Sequence, residues 1–514
     1  MASLTHPLRS AGILLHPTSL PGPYGIGDLG PIAATWVDGL AHAQLSWWQM
    51  LPLGPTGAGD SPYQSPSSFA GNPLLLSPEL LARDGLLSGS DIAPTGFPRA
   101  QIDYAGVYRY KHYLLTRAWD AFKGGRGQGL RTGFDTFCER EASWLDDYAL
   151  FCALKERHGD RPWYEWEPEL VQREPAALEA AREAARDAID RHRFTQFLFY
   201  RQWDALRGYA RSRGISLIGD VPIFVSLDSA DVWANPELFR LDADKRPTVV
   251  AGVPPDYFSP LGQLWGNPHY DWQRMERDGF AWWVSRLKAT LRQVDLVRLD
   301  HFRGFSAAWE VPAGAKTAQK GEWVPGPGRK LLDALREGLG GLPLIAEDLG
   351  VITPDVIALR DAYSLPGMRV LQFAFDRPEN PFLPHHYTAN SVVYTGTHDN
   401  DTTIGWFWSL PESGRATVRR FFPWVGNDIA WEMLRIAWSS VADFAIAPLQ
   451  DVLTLGTEAR MNYPGVPDGN WRWRFTEGQL TRGHLDGLAE LTVAYSRDPL
   501  KLDIPGAPVT PFGG

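Results

Sequence analysis

Residues 297–304 read VRLDHFRG. Side chains alternate along a β-strand, so Arg298 and Asp300 share one face while Val297 and Leu299 take the other. A guanidinium two residues from a carboxylate favours the ionised acid. The pair reads equally well as a nucleophile held in its charged form or as an ion pair tying strand to helix. Outward from this stretch, the chain repeats one pattern, a short apolar strand that closes on polar residues. The candidates are 12–16, 47–53, 216–225, 294–302, 343–348, 368–375, 391–397 and 443–448. Asp220 lies in the third, Glu347 and Asp348 end the fifth, and His398 and Asp399 follow the seventh. Parallel barrels carry their chemistry at the C-terminal ends of the strands. Eight strands with polar ends therefore point to an α/β fold, a (β/α)8 TIM barrel, rather than to a doubly wound sheet.

A bare barrel needs about 250 residues, and this chain has 514, so half of it must be inserted material. The expectation is a single catalytic barrel domain over 1–514 with large insertions between strands two and three and between strands three and four. The first, 56–215, is mainly helical in its patterning, with Pro175 opening one long helix and Gly214 stopping it. The second, 226–290, is rich in Pro, Asp and aromatic residues and reads as a lid or substrate wall at the mouth.

Lys and Arg number 50 against 60 Asp and Glu, a net charge of −10. That field argues against a nucleic-acid partner or a membrane surface, both of which call for basic charge. No run approaches the ~18 apolar residues of a membrane span, and the apolar stretch near the N-terminus is too short for a signal peptide. A cytoplasmic enzyme, monomeric, is the expectation. Two cysteines, Cys138 and Cys152, give no disulfide framework and no zinc pattern. His385-His386 reads as a solvated loop pair, so no metal and no cofactor is implied. The 22 Trp beside 17 Tyr and 24 Phe fit sugar binding, since pyranose C–H faces lie flat on indole, but a large aromatic core accounts for them too.

Acids at the ends of strands four, five and seven converge in a barrel. Two carboxylates about 5 Å apart, one a nucleophile and one an acid/base, are the machinery of a retaining glycosidase. Of Glu347 and Asp348, alternation lets only one face the barrel axis.

The chain resembles the 4-α-glucanotransferases of the amylomaltase (disproportionating enzyme) family, relatives of the α-amylases. The matching segments are 16–22 (HPTSLPG), 51–56 (LPLGPT), 59–64 (GDSPYQ), 219–223 (GDVPI), 298–304 (RLDHFRG), 346–350 (AEDLG), 396–400 (GTHDN) and 462–465 (NYPG). They keep their order along nearly the whole chain. The resemblance implies Asp300 as nucleophile, Glu347 as general acid/base and Asp399 as the third acid. It implies that Asp220, Arg298, His301 and His398 surround the sugar, with Tyr63 as a platform beneath it. Ser61, Gln263 and Trp265 are implied as contacts around it, and Tyr257 and Phe258 as part of a lid near the acceptor. The implied partners are α-1,4-glucans and maltooligosaccharides, handled by transfer with retained configuration; an α-amylase-type hydrolase is the alternative. One departure is Ala58, where family members often carry an aromatic residue associated with a secondary glucan-binding surface. Alanine offers no stacking face.

Overall fold

A computed structural model describes residues 9–93, 96–255, 260–421 and 428–499 of the chain. Its strands are, in order, β1 (Ser10–Leu14), β2 (Trp47–Gln49), β3 (Ser216–Pro222), β4 (Val249–Val253), β5 (Gln263–Pro268), β6 (Leu296–Asp300), β7 (Ala307–Pro312), β8 (Glu322–Pro325), β9 (Leu344–Ala346), β10 (Gly367–Val370), β11 (Ser391–Tyr394) and β12 (Phe444–Pro448). Eight of them close a barrel in the order β1-β12-β11-β10-β9-β6-β3-β2, with parallel pairings throughout. The (β/α)8 reading of the sequence is thereby met, and each barrel strand falls within or against its expected segment.

Local chemistry explains the closure. Strands buried on both faces read as near-continuous apolar runs, as in Ser391–Tyr394 (SVVY) and Phe444–Pro448 (FAIAP), and helices cover the outside. At Gly12 a Cβ would meet the Trp47 carbonyl oxygen at 2.4 Å, so β1 and β2 approach only with glycine there. Inside the barrel, side chains of strands that are not neighbours meet across the core. Tyr394 of β11 donates its hydroxyl to Gln49 of β2 at 2.9 Å, and Arg298 of β6 reaches Met368 of β10 with Nε at 3.4 Å from sulfur.

Between β2 and β3 the chain forms long helices, Tyr104–Lys123, Arg131–Arg157 and Arg186–Ser212. Phenylalanines weld them together; Phe122 and Phe194 stack at 4.3 Å. Cys138 and Cys152 are free thiols on one of these helices, and burial raises the Cys138 thiol to about 11. Much of the tryptophan goes into the interior rather than to a ligand surface. Trp47, Trp48, Trp163, Trp203, Trp233, Trp283 and Trp438 are fully buried, and all but Trp283 place their indole N–H on an acceptor, such as the Leu15 carbonyl 2.7 Å from Trp48.

The other four strands form an antiparallel sheet, β5-β4-β7-β8. β4 and β5 come from the segment 226–290, whereas β7 and β8 come from the connection after β6. This sheet is thus built from two separate excursions of the chain. The second was invisible in the sequence pattern, because 307–325 mixes Trp, Glu, Pro and Gly without clear alternation. No described helix is long and apolar enough to cross a membrane.

Candidate active site

β6 ends at Asp300, and Arg298 two residues earlier points into the barrel as alternation requires. Its guanidinium lies between two acids, with Nη1 2.7 Å from Asp220 Oδ2 and Nη2 2.9 Å from Asp300 Oδ1. Asp220 has a side chain with no exposure, while that of Asp300 keeps 30%. Both acids bind the same cation, but only Asp300 retains an open face. Flanked by two carboxylates, Arg298 is held well above its usual value despite burial. Burial chiefly raises Asp220, with Arg298 pulling the other way.

Glu347 follows β9. Its Oε2 accepts the backbone N–H of His301 at 2.7 Å, and its Oε1 accepts that of Leu349 at 2.9 Å. His301 is the residue after Asp300, and its φ of 53° places it in the left-handed region that side-chain-bearing residues rarely adopt. That turn aims the peptide N–H at Glu347 and couples the two strand ends. Glu347 is buried, and its carboxyl is pushed up to about 8, first by desolvation and then by the negative charge of Asp300. Asp348, its neighbour, takes the opposite face. It accepts from Met368 N at 2.7 Å and from Arg360 Nη1 at 2.5 Å, which makes it a clamp between strand and helix.

The opposite rim is a chain of polar contacts. Tyr63 donates its hydroxyl to Asp220 Oδ2 at 2.8 Å and lies 2.8 Å from His398 Nε2; its ring stacks on the His398 imidazole at 5.3 Å. His398 Nε2 is 3.5 Å from Asp399 Oδ1. Ser61 caps the turn that presents Tyr63, its Oγ accepting the Tyr63 N–H at 3.2 Å. Trp265 meets the His301 ring edge-on at 4.8 Å and donates its indole N–H to Gln263 Oε1 at 3.3 Å. Burial lowers the His301 imidazole to about 4, which keeps it neutral, and its Nε2 has no partner among the described residues. Tyr257 and Phe258 lie outside the described residues.

These contacts gather acids from four strand ends, Asp220, Asp300, Glu347 and Asp399, at the C-terminal mouth of the barrel. The model of the 4-alpha-glucanotransferase family (Glyco_hydro_77) matches residues 15–481. A 4-alpha-glucanotransferase of Thermus thermophilus is 52% identical over 94% of this chain and 99% of its own length. One from a Synechocystis strain is 50% identical over 94% and 97%. The chain belongs to the 4-alpha-glucanotransferase family. It is an enzyme that transfers glycosyl units. Among solved structures, the amylomaltase from Streptococcus agalactiae in complex with acarbose superposes with a TM-score of 0.92 at 39% identity, over 95% of this chain and all of that one. The amylomaltase from Corynebacterium glutamicum, at 19% identity and TM-score 0.77, shares the fold over 95% of this chain and 75% of its own.

In this member of the family, three contacts escaped the sequence reading. Asn462 donates Nδ2 to Asp399 Oδ1 at 2.6 Å, and Arg460 Nη2 reaches the Asp399 carbonyl at 2.8 Å. Trp471 leans on the Tyr63 ring at 5.7 Å. Asn462 opens the NYPG segment, the one available signal, but nothing local ties an asparagine there to an acid 63 positions away. His16, in the HPTSLPG segment, is buried near His398 and lowered to about 3, mainly by desolvation. Among the described residues no group of three His, Cys, Asp or Glu side chains is placed to hold a metal ion.

Proposed function

We propose that this 4-α-glucanotransferase works by retaining double displacement on α-1,4-glucans and maltooligosaccharides, with Asp300, Glu347 and Asp399 as its catalytic acids. The observation that carries the reading is the shared strand exit. The buried, proton-holding Glu347 accepts its hydrogen bond from the peptide that follows the half-open Asp300. The S. agalactiae relative's complex with acarbose supports an oligosaccharide ligand.

In the first step Asp300 attacks the anomeric carbon through an oxocarbenium-like state. The C1–O4 bond breaks, an ester bond to Asp300 forms, and Glu347 gives its proton to the departing O4. A carboxyl with its value near 8 holds that proton at neutral pH. Asp399, fixed by Asn462, binds hydroxyls of the distorted sugar, and its charge gains strength as positive charge develops. Arg298, 2.9 Å from Asp300 Oδ1, holds the nucleophile aimed. Once Asp300 is esterified, its negative charge disappears and Glu347 loses one of the two influences that raised it. The acid can then take the proton from an incoming 4-OH, whose oxygen displaces Asp300 from C1. His301, neutral and with Nε2 unpartnered, and Tyr63 with His398 hold the sugar in this reading.

Transfer rather than hydrolysis is tested with maltotriose alone. Transfer releases glucose together with longer oligosaccharides, whereas an α-amylase-type hydrolase only shortens the substrate. Products no longer than maltotriose would sink the transfer reading.

A further inference from the structure

The antiparallel sheet carries a feature that the reaction centre does not use. Pairings Leu264 to Gly252, Gly252 to Trp309 and Trp309 to Trp323 set these residues in one row across the four strands, on a common face. Trp309 and Trp323 meet edge-on at 5.3 Å, and the Trp309 indole N–H is fixed on the Ala318 carbonyl at 2.9 Å. Trp323 remains 37% exposed on the edge strand. An exposed indole on a sheet edge is a liability unless it has a use. Its inner face is covered by the buried Arg303, whose guanidinium carbon lies 3.7 Å from the ring centroid.

The support beneath this ring is continuous with the catalytic strand ends. Arg303 lies on the turn Phe302–Phe305, just after Asp300. Its Nε donates to the Val351 carbonyl at 3.2 Å, four residues beyond Glu347. The end of β8 is pressed onto the same turn. A Cβ at Gly326 would meet the Phe305 and Gly304 carbonyl oxygens at 2.4 and 2.6 Å, and Gly326 N donates to Ser306 O at 2.8 Å. On the opposite face of the same sheet Trp265 packs on His301, so the sheet as a whole sits against the turn that follows Asp300. The indole is therefore mounted on the Glu347 side of the mouth, away from the Tyr63–Asp220–His398–Asp399 rim.

We propose that Trp323, backed by Arg303 and Trp309, is a stacking platform for a glucose unit of a long acceptor glucan, beyond the sugars at the cleavage point. The assignment rests on the double-displacement reading, in which Glu347 faces both the departing oxygen and the incoming hydroxyl, so the chain attached to that hydroxyl runs over this wall. A pyranose lays its C–H face on the open indole face, while the guanidinium fixes the ring and offers charge at its border. Short acceptors end before they reach it; long ones do not.

Two measurements on the full-length enzyme test this. In the first, Trp323→Ala raises KM for amylose about fivefold with kcat within about twofold, the scale of losing one aromatic contact. KM for maltotriose moves far less, and Trp323→Phe recovers most of the amylose KM. An equal change for both substrates, or an unchanged amylose KM, overturns the proposal. The second uses the unaltered protein and so does not depend on the variant's folding. Indoles are oxidised by N-bromosuccinimide and mapped by mass spectrometry, with Trp408, 62% exposed elsewhere, as an internal reference. Amylose protects Trp323 and leaves Trp408 reactive, and maltotriose protects neither; oxidation of Trp323 at the same rate with and without amylose overturns the proposal. An unaltered enzyme that makes no longer products from maltotriose would instead remove the double-displacement transfer reading, and the protection map still decides whether Trp323 binds glucan.

Discussion

The two sides of the barrel mouth are built from different materials. One rim runs Asp220–Tyr63–His398 through two 2.8 Å hydrogen bonds and on to Asp399, 3.5 Å from His398; the Asp220 side chain is fully covered and Tyr63 is bonded on two sides. The other side, on the antiparallel sheet, is aromatic: Trp265 meets His301 from one face of the sheet, and Trp309 and Trp323 lie on the other, with the Arg303 guanidinium against Trp323. Polar contacts in a buried site are directional and costly to misplace, so the first rim suits one sugar in one pose. Aromatic faces tolerate sliding, so the second suits chains of different length. A transferase needs both: an exact grip on the reacting sugar, and a permissive surface for acceptors that change from turnover to turnover.

Substitutions can break or sharpen this contrast. The largest effect is expected from Asp300→Asn, which removes the proposed nucleophile and lowers kcat by about a thousandfold or more. Glucan affinity, measured by calorimetry, stays near that of the unaltered protein. Next is Glu347→Gln, with a loss on the order of a hundredfold and a changed pH profile. The acid must carry its proton to act, and its value is raised to about 8, so kcat/KM of the unaltered enzyme falls as pH rises through that region. The variant lacks this alkaline limb. A limb that persists in the variant assigns it to another group. Asn462→Ala frees Asp399 from its 2.6 Å bond and lowers kcat by about tenfold with little change in thermal midpoint, as expected when a partner group loses its aim. The smallest effect on turnover is expected from Asp348→Ala. This variant leaves Arg360 Nη1 and the Met368 N–H without their acceptor, while Arg360 keeps Asp361, and it costs about 2 kcal/mol of stability, yet the folded fraction keeps kcat within about twofold. A collapse of kcat at unchanged stability would place Asp348 in the chemistry and dissolve the division between adjacent acids.

Glu347 and Asp348 also mark how far the sequence could be read. Period-two alternation says that only one of them faces the axis, and it leaves open which one. The structure decides through the partners: two backbone N–H groups for Glu347, an arginine and a strand N–H for Asp348. Arg298 and Asp300 were legible as a pair, but not that a third group, Asp220, shares the guanidinium. That contact joins neighbouring strands whose order is set by the barrel's closure. Composition misled in part, since the tryptophans that suggested sugar binding are in large measure core.

The sequence by itself determined the barrel, the placing of its strands, and the family, because short-range alternation and ordered motifs are local properties that survive without coordinates. Tertiary structure alone decided which acid is buried and proton-holding, which residue steadies Asp399, and that two distant excursions pair into one antiparallel sheet. Burial, charge proximity and strand pairing each depend on atoms brought together from remote parts of the chain, and no local pattern encodes the distance between them.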